Sequence, residues 1–462
     1  MTTLEKWQEI KGLTMKLSNI CTHTFRYLTR YIVLFFITLS CQSVLAEGSD
    51  DPFWNALIGG KVDFSSRYRY EHVDDNALAA DGSTLKQADA STIRTTLGYT
   101  TGDFHGFGFR LLGQDVRDVF VDDFNDATGR PSSRTKYAVV ADPEETDFLE
   151  AYLSYKGSGE TTLLNATTMK LGRQIITYRK APFHRFMGTV LWRQNWQNHD
   201  AFSLQNKSLP DTTINYAYSW NVNRIFTDEA VGGKGEFDSD SHFVNLKYDG
   251  FNYAKLEGYA YLLDFSNSLA NSTETFGGRV NGGYPMSDKW KLIYAGEYAN
   301  QGDYGDNPAN VDEDYYLGEI GVKFTPGNVI SSVVFKLDYE VLTGNGTNSF
   351  RTPLATGHAF QGWADRFLTT PGDGIEDFYI TSVIGAYGAK FIASYHMIES
   401  DNLSYDYGDE LDLLLVKTFK DHYTFGAKIA IYDADTNATN IARGGNRAAD
   451  VTKSWFWAQV KF

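Results

Sequence analysis

The chain ends WFWAQVKF, residues 455–462, and this stretch decides the fold. In an extended chain successive side chains point to opposite faces. Phe456, Ala458, Val460 and Phe462 therefore share one wholly apolar face. Trp455, Trp457, Gln459 and Lys461 share the other. A terminal strand of this kind is expected to present its apolar face to lipid and its amphipathic face to an interior.

The same period of two recurs upstream. Val62, Phe64, Ser66, Tyr68 and Tyr70 oppose Lys61, Asp63, Ser65, Arg67, Arg69 and Glu71. Val333, Phe335, Leu337, Tyr339 and Val341 oppose Lys336, Asp338 and Glu340. Ala389, Phe391, Ala393, Tyr395 and Met397 oppose Lys390, Ser394 and His396. Tyr423, Phe425, Ala427, Ile429 and Ile431 face away from Lys428. The breaks between such runs alternate short and long. Short ones fall near 102–106, 157–166, 207–211, 249–252, 283–288, 325–329, 383–388 and 417–421. Long ones, rich in Asp, Asn, Gly and Thr, fall near 74–89, 119–146, 177–197, 227–240, 264–273, 301–312, 344–375, 399–406 and 433–452. Nine long and eight short connections predict about 18 strands with both chain ends on the short-turn side. The predicted fold is an all-β transmembrane antiparallel barrel with short periplasmic turns and long extracellular loops.

Composition agrees. The chain holds 31 Phe, 29 Tyr and 42 Gly but only 10 Pro. Residues 31–39 (YIVLFFITL) form an apolar run behind Lys16, Arg26 and Arg30, followed by Val44 and Ala46. This pattern predicts a signal peptide over 1–46, with translation starting at Met1 or Met15. The run is too short to span a bilayer as a helix. Residues 47–462 are then a single barrel domain in the outer membrane. Both cysteines, Cys21 and Cys41, lie in the leader, so the exported part has neither disulfide nor cysteine metal site. The leader carries five basic and two acidic residues, and removing its +3 takes the net charge from −16 to −19. So acidic a protein is not expected to bind nucleic acid. The terminal Phe462 resembles the signal that barrel-assembly machinery reads.

A barrel of this size encloses a water-filled lumen. An arginine facing lipid at mid-bilayer costs roughly 2–4 kcal/mol, so in-strand arginines are expected to face inward. The expected pore-lining residues are Arg67, Arg69, Arg94, Arg110, Arg173, Gln174, Arg193, Gln194 and Arg366. Arg279 belongs with them. Inward carboxylates are expected as well, at Asp63, Glu71, Glu150, Glu257, Glu297, Glu319, Asp338 and Glu340. A lumen laced with arginine–carboxylate pairs is thus weighed against an open arginine ladder. Strict alternation puts Arg173 beside Met169 and Leu171, on the lipid side, unless a bulge or a position above the bilayer intervenes. The segment MKLGRQIITYRKAPFHRFMGTVLWRQNWQNHDAFSL (169–204) reads as strand, arginine- and aromatic-rich loop, strand. Guanidinium forks grip carboxylates and aromatic faces stack on sugars or cations. A second long connection, within 350–378, places Phe360, Trp363 and Phe367 at helical spacing and can fold inward as a constriction.

Enzymatic patterns are weak. The nine histidines show no HExxH spacing, and no GxSxG elbow occurs. Ser394 and His396 share a strand face, but the sequence places no third member beside them. Asp115, Asp118, Asp122, Asp123, Asp433 and Asp435 could hold loop calcium, but their spacing defines no calcium loop. No cofactor is expected.

Several segments resemble the alginate-export family of outer-membrane proteins. They are YRYEHVDD (68–75), STIRTTLGYTTGDFHGFGF (91–109), VADPEETDFLEAYLSY (140–155), LGRQIITYRKAPFHRFMGTVLWRQNWQNHDAF (171–202) and TPLATGHAFQGWADRFLTTPGDGIEDFY (352–379). The resemblance implies a monomeric barrel of eighteen strands with an arginine-lined, electropositive pore that passes a polyuronate; on the weak motifs above, no enzymatic activity is expected. Arg67, Arg69, Arg94, Arg110 and Arg173 with Gln174 sit where that family places its early-strand arginines and its GRQ motif. The expected function is passage of an anionic oligo- or polysaccharide. The alternative is a general porin or uptake channel for other small organic solutes.

Overall fold

Lipid offers backbone N–H and C=O groups no partners, so strands that cross it must pair into a closed sheet. The computed structural model does this. It describes residues 51–131, 134–157, 165–181, 184–327 and 329–462. The expected leader, 1–46, lies outside the described residues.

Among the described residues eighteen strands form one sheet. They are β1 (Lys61–Asp75), β2 (Ala88–Thr100), β3 (Phe107–Asp123), β4 (Glu145–Lys156), β5 (Thr167–Gln174), β6 (Asn198–Asn206), β7 (Thr212–Asn223), β8 (Glu236–Tyr248) and β9 (Ala254–Leu263). Then come β10 (Thr273–Pro285), β11 (Trp290–Asp303), β12 (Asp312–Phe324), β13 (Ile330–Leu342), β14 (Ile375–Ala386), β15 (Ala389–Glu399), β16 (Asp406–Phe419), β17 (Tyr423–Ala434) and β18 (Val451–Lys461). Each strand pairs antiparallel with its sequence neighbours, and β1 closes on β18 from Ser65↔Lys461 to Asp75↔Val451. Nine long connections alternate with eight short ones, as the breaks in the sequence predict.

The chain divides into two units. The barrel is Val62–Thr100 with His105–Phe462. The other unit takes the N-terminal part to Lys61 with Thr101–Phe104. Its described part is a short helix, α1 (Pro52–Ile58), with Asp51 as N-cap and proline at its first position. Within that unit Gly102 N donates to Ala56 O, and the Phe53 and Phe104 rings meet edge-on at 5.3 Å. No described helix is long and apolar enough to cross a membrane; the crossing is by strands.

Alternation sorts the barrel into two faces. Phe335 and Tyr339 on β13, Phe391 and Tyr395 on β15 and Phe425 and Ile431 on β17 are exposed on the outside. Their sequence neighbours Asp338, Glu340, Ser394, His396 and Lys428 are buried inside. On β18, Phe456 is exposed while Trp455 and Trp457 are buried. Such exposed apolar side chains recur around the barrel and form a lipid-facing belt. The interior mixes buried polar and charged side chains with an apolar cluster that includes Phe243, Phe265, Phe350, Leu354 and Ile375.

Candidate functional site

The inward face carries the expected charges, and they are engaged. Each of the eight expected inward carboxylates forms an ion pair. Arg110 holds Asp63 at 2.8 Å and Glu150 at 2.5 Å. Glu71 meets Arg193 at 3.1 Å and Arg69 at 3.3 Å. Glu257 and Glu297 meet Arg179 at 3.1 and 2.6 Å, and Arg279 joins Glu297 at 2.7 Å. Lys336 bridges Glu319 and Asp338, and Arg185 reaches Glu340 at 2.9 Å. The paired lumen is the arrangement found.

Several of these cations sit on no strand. They come from two long connections, 175–197 and 343–374, whose side chains reach the inward faces of distant strands. The described residues of both connections that make these contacts therefore lie inside the barrel. In the first, Arg179 ties to β9 and β11, and Arg185 to β13. Farther along, Gln194 Nε2 donates to Thr92 Oγ1 on β2, and Gln114 Nε2 on β3 donates to Asn195 Oδ1. In the second, Trp363 N and Ala364 N donate to Asp412 and Glu410 on β16. Arg366 grips Asp75 at the end of β1 at 2.7 Å. The expected helical turn through Phe360, Trp363 and Phe367 does not form. A short 3-10 turn covers Gly357–Ala359, and Gln361, Gly362 and Asp365 take left-handed backbone angles that no right-handed helix admits.

The two connections meet at Asp365. Its carboxylate accepts from His358 Nδ1 at 2.6 Å and from Arg193 and Lys453 at 3.0 and 2.9 Å. Burial alone pushes this carboxyl up, yet His358, Lys453 and Arg193 together hold it well below the ordinary carboxylate range. Lys428 donates to His358 Nε2 at 2.6 Å, and its ammonium lies over the rings of Trp192, Trp363 and Trp455. With Nδ1–H donated to Asp365 and Nε2 accepting a hydrogen bond from the Lys428 ammonium, the imidazole is a neutral bridge. Burial is the main reason that the His358 pKa falls to about 3.

The nine expected pore-lining residues divide by access. Arg69 is 1% exposed, paired with Glu71 and Asp142; Arg193 and Arg366 are 5% exposed and paired. Arg94 is 4% exposed and lies flat on Trp196, its centre 3.7 Å from the ring, with Gln114 as a hydrogen-bond partner. Arg67 donates to Gln194 Oε1 and to the carbonyls of Leu191, Trp192 and Arg193, and no carboxylate among the described residues pairs with it. Gln174 is buried, bonded to Ser203 and to Ala201 O. Arg110 and Arg173 remain partly exposed. Arg173 lies one residue from the long-loop end of β5. Gly172 before it has φ +123°, and the guanidinium reaches Asp147 and Asp200 at 2.6 and 2.9 Å. Its charge is thus matched by two carboxylates near the rim, which removes the conflict that strict alternation creates.

Sequence reading missed Arg179, Arg185, His358, Asp365 and Lys453 as organising residues. Arg179 and Arg185 stand inside the 169–204 segment, whose arginine density was the available signal. Nothing in strand periodicity marks Asp365.

Ser394 and His396 do gain a third partner. Asp377 accepts from His396 Nδ1 at 2.8 Å, while Ser394 Oγ lies 3.2 Å from Nε2. Ser394 also bonds Thr381 at 2.9 Å and is buried, with its backbone in the β14–β15–β16 ladder. Ladder amides are spent on the sheet and supply no oxyanion donors. The trio is a wall strut and not a catalytic centre. Of the acids expected on loops, Asp115 and Asp122 lie instead on β3 and pair with Arg117 and Arg134. No group of three or more His, Asp or Glu among the described residues is arranged to hold a metal ion.

No family model matches the chain, and no curated protein matches it. Solved structures do match. OccK9 (OpdG) of Pseudomonas aeruginosa superposes with a TM-score of 0.64 at 12% identity, over 88% of this chain and 100% of that one. OccAB2 of Acinetobacter baumannii gives 0.63 at 17% identity, over 90% and 100%. OpdK of P. aeruginosa, solved with vanillate, gives 0.63 at 12% identity, over 88% and 99%. These neighbours lend no support to the alginate-export resemblance. At such identities the likeness is one of fold, and with its apolar outer belt the chain is an outer-membrane β-barrel built like the Occ and Opd porins.

Proposed function

We propose that this barrel passes small organic anions, of the size and charge of an aromatic monocarboxylate, through a lumen narrowed by its two inward connections. The observation that carries this reading is the pair Arg67 and Arg94. Among the described residues each is an inward guanidinium whose hydrogen-bond partners are all neutral, so each adds uncompensated positive charge to the wall; Arg67 is partly exposed and can touch a passing anion, whereas Arg94, buried against Trp196, acts on it only through its field. A carboxylate is a stronger acceptor for a guanidinium than a neutral carbonyl. Contacts of this kind must be weak and several for a solute to leave again. The vanillate in the OpdK structure is an anion of this class. Of the other expected residues, Arg110 and Arg173 serve as rim charges, and Arg69, Arg193, Gln174, Gln194 and Arg366 serve to hold the interior in shape.

Passage of an alginate-like polyuronate is the second reading, favoured by the quoted sequence segments. Two connections packed against β1, β2, β16 and β18 leave it less room. The functional unit in either case is a monomer of residues 47–462, exported by its leader and inserted through the strand ending at Phe462.

The test is the reversal potential of the purified protein in a planar bilayer under a salt gradient, with vanillate or an oligo-uronate added. Anion preference with block by vanillate alone supports the main reading, and Arg67→Gln should then weaken the block. Equal block by the oligo-uronate revives the polyuronate. Cation preference with no block sinks both.

A further inference from the structure

We propose that Asp365 is the positioning residue that sets the width of the passage, because it joins both inward connections to the wall at one carboxylate. The proposal rests on the solute passage proposed above. Two cations and one neutral imidazole N–H, from three parts of the chain, meet on this group: Arg193 from 175–197, His358 from its own connection, and Lys453 from β18. Arg193 carries the link onward to Glu71 on β1. The joint is layered. Trp192 of the first connection stacks on His358 of the second, with ring centres 4.9 Å apart and planes within 3°. Both rings stand edge-on to Trp455 of β18. The Lys428 ammonium fills the box made by Trp192, Trp363 and Trp455.

The backbone at the joint is held against its own preference. Asp365 has φ +65° and Gln361 φ +48°. A non-glycine residue there is strained, and such strain persists only where surrounding contacts over-determine it. Take the carboxylate away and those contacts change sign. Arg193 and Lys453, now drawn to one oxygen pair, would face each other as two like charges. Among the described residues Lys453 has no second carboxylate partner, so it turns from a tie into a repeller. The segment through Trp363 and Ala364, then held by its amides on Asp412 and Glu410, is expected to leave the wall and widen the lumen.

The experiment compares wild type with Asp365→Asn, Asp365→Glu and Lys453→Met in planar bilayers. It reads unit conductance and the largest polyethylene glycol that still enters. Migration of the unheated protein on a denaturing gel checks barrel closure. The expected result is a closed barrel whose cut-off shifts to larger polymers in D365N, with transitions to a higher conductance level. K453M should shift in the same direction by less, and D365E should stay near wild type. Unchanged conductance and cut-off in closed D365N and K453M would overturn the proposal. Where D365N fails to close, K453M with His358→Gln decides it by the same two readouts. A wild-type channel without anion preference would overturn the passage reading, while a shifted cut-off in D365N would still place the gate at Asp365.

Discussion

Arg69 illustrates what a single residue does here. Its guanidinium is 1% exposed, between Glu71 and Asp142, with the Trp192 ring 5.2 Å from its centre. A buried pair of this sort adds little net stability over an apolar replacement, but breaking it from one side costs about 3–5 kcal/mol. Arg69→Met should lower the urea midpoint of barrel unfolding in vesicles, and Arg110→Met, which removes a half-wet arginine, should do so by less. Gly172 is a second residue whose identity is forced. At φ +123° a Cβ would lie 2.4 Å from Ala151 O. Gly172→Ala should therefore cost about 1–3 kcal/mol, and it should release Arg173 from Asp147 and Asp200. An unfolding midpoint equal to wild type would show that the kink is not needed. Side-chain direction was legible from the sequence at this scale, because alternation sends Arg67, Arg69 and Glu71 inward whatever follows. Which arginine is free was not legible. Arg69 meets the backbone of Trp192, 123 positions away, and Arg366 meets Asp75, 291 positions away. No local pattern encodes partners at that range.

At the scale of elements, the two inward connections behave as one unit, and His358 gives that unit a pH response. In the joint its pKa is about 3, against about 6.5 for a solvated imidazole. The groups facing it are Asp365 on one nitrogen, Lys428 on the other, and Arg193 across the carboxylate. A base whose pKa is depressed in the closed arrangement binds its proton only after release. Acid therefore favours release from pH 6.5 down to about 3, by tenfold per unit. At pH 5 the bias is roughly 2 kcal/mol. Asp365, held below the ordinary carboxylate range, adds to it only below about pH 4. Wild-type channels should thus visit the larger level more often at pH 5 than at pH 7.5, and His358→Gln should remove the difference. A response that survives H358Q would assign it to another group. The sequence announced that these connections were special through their length and their arginine and tryptophan content. It misled on local form, since Phe360, Trp363 and Phe367 have helical spacing. Gly362 explains why: at φ +81° its Cβ position lies 2.2 Å from Glu410 Oε2, so the chain turns left-handed against the wall instead of coiling.

For the whole molecule, strand number follows from counting connections, and the count succeeded because a hairpin barrel has no other degree of freedom. Each strand must pair with its neighbour, so an alternation of short and long breaks fixes both number and topology. The same closure makes the outer face a continuous apolar belt, and that gives a test on energy alone. Ile320 lies near the middle of β12, 55% exposed, opposite Tyr294 on β11 and Leu337 on β13. Were this face in water, replacing so exposed a side chain would change stability by about 0.5 kcal/mol or less. In lipid, Ile320→Arg should cost roughly 2–4 kcal/mol at mid-bilayer, and less near a rim. Phe276 on β10 is also exposed but lies nearer its long-loop end, so Phe276→Arg should cost less than Ile320→Arg. Reversible unfolding in vesicles measures both. Equal, near-zero effects would mean that the belt is not lipid-facing. A depth-dependent pair of costs is what a membrane-spanning wall requires.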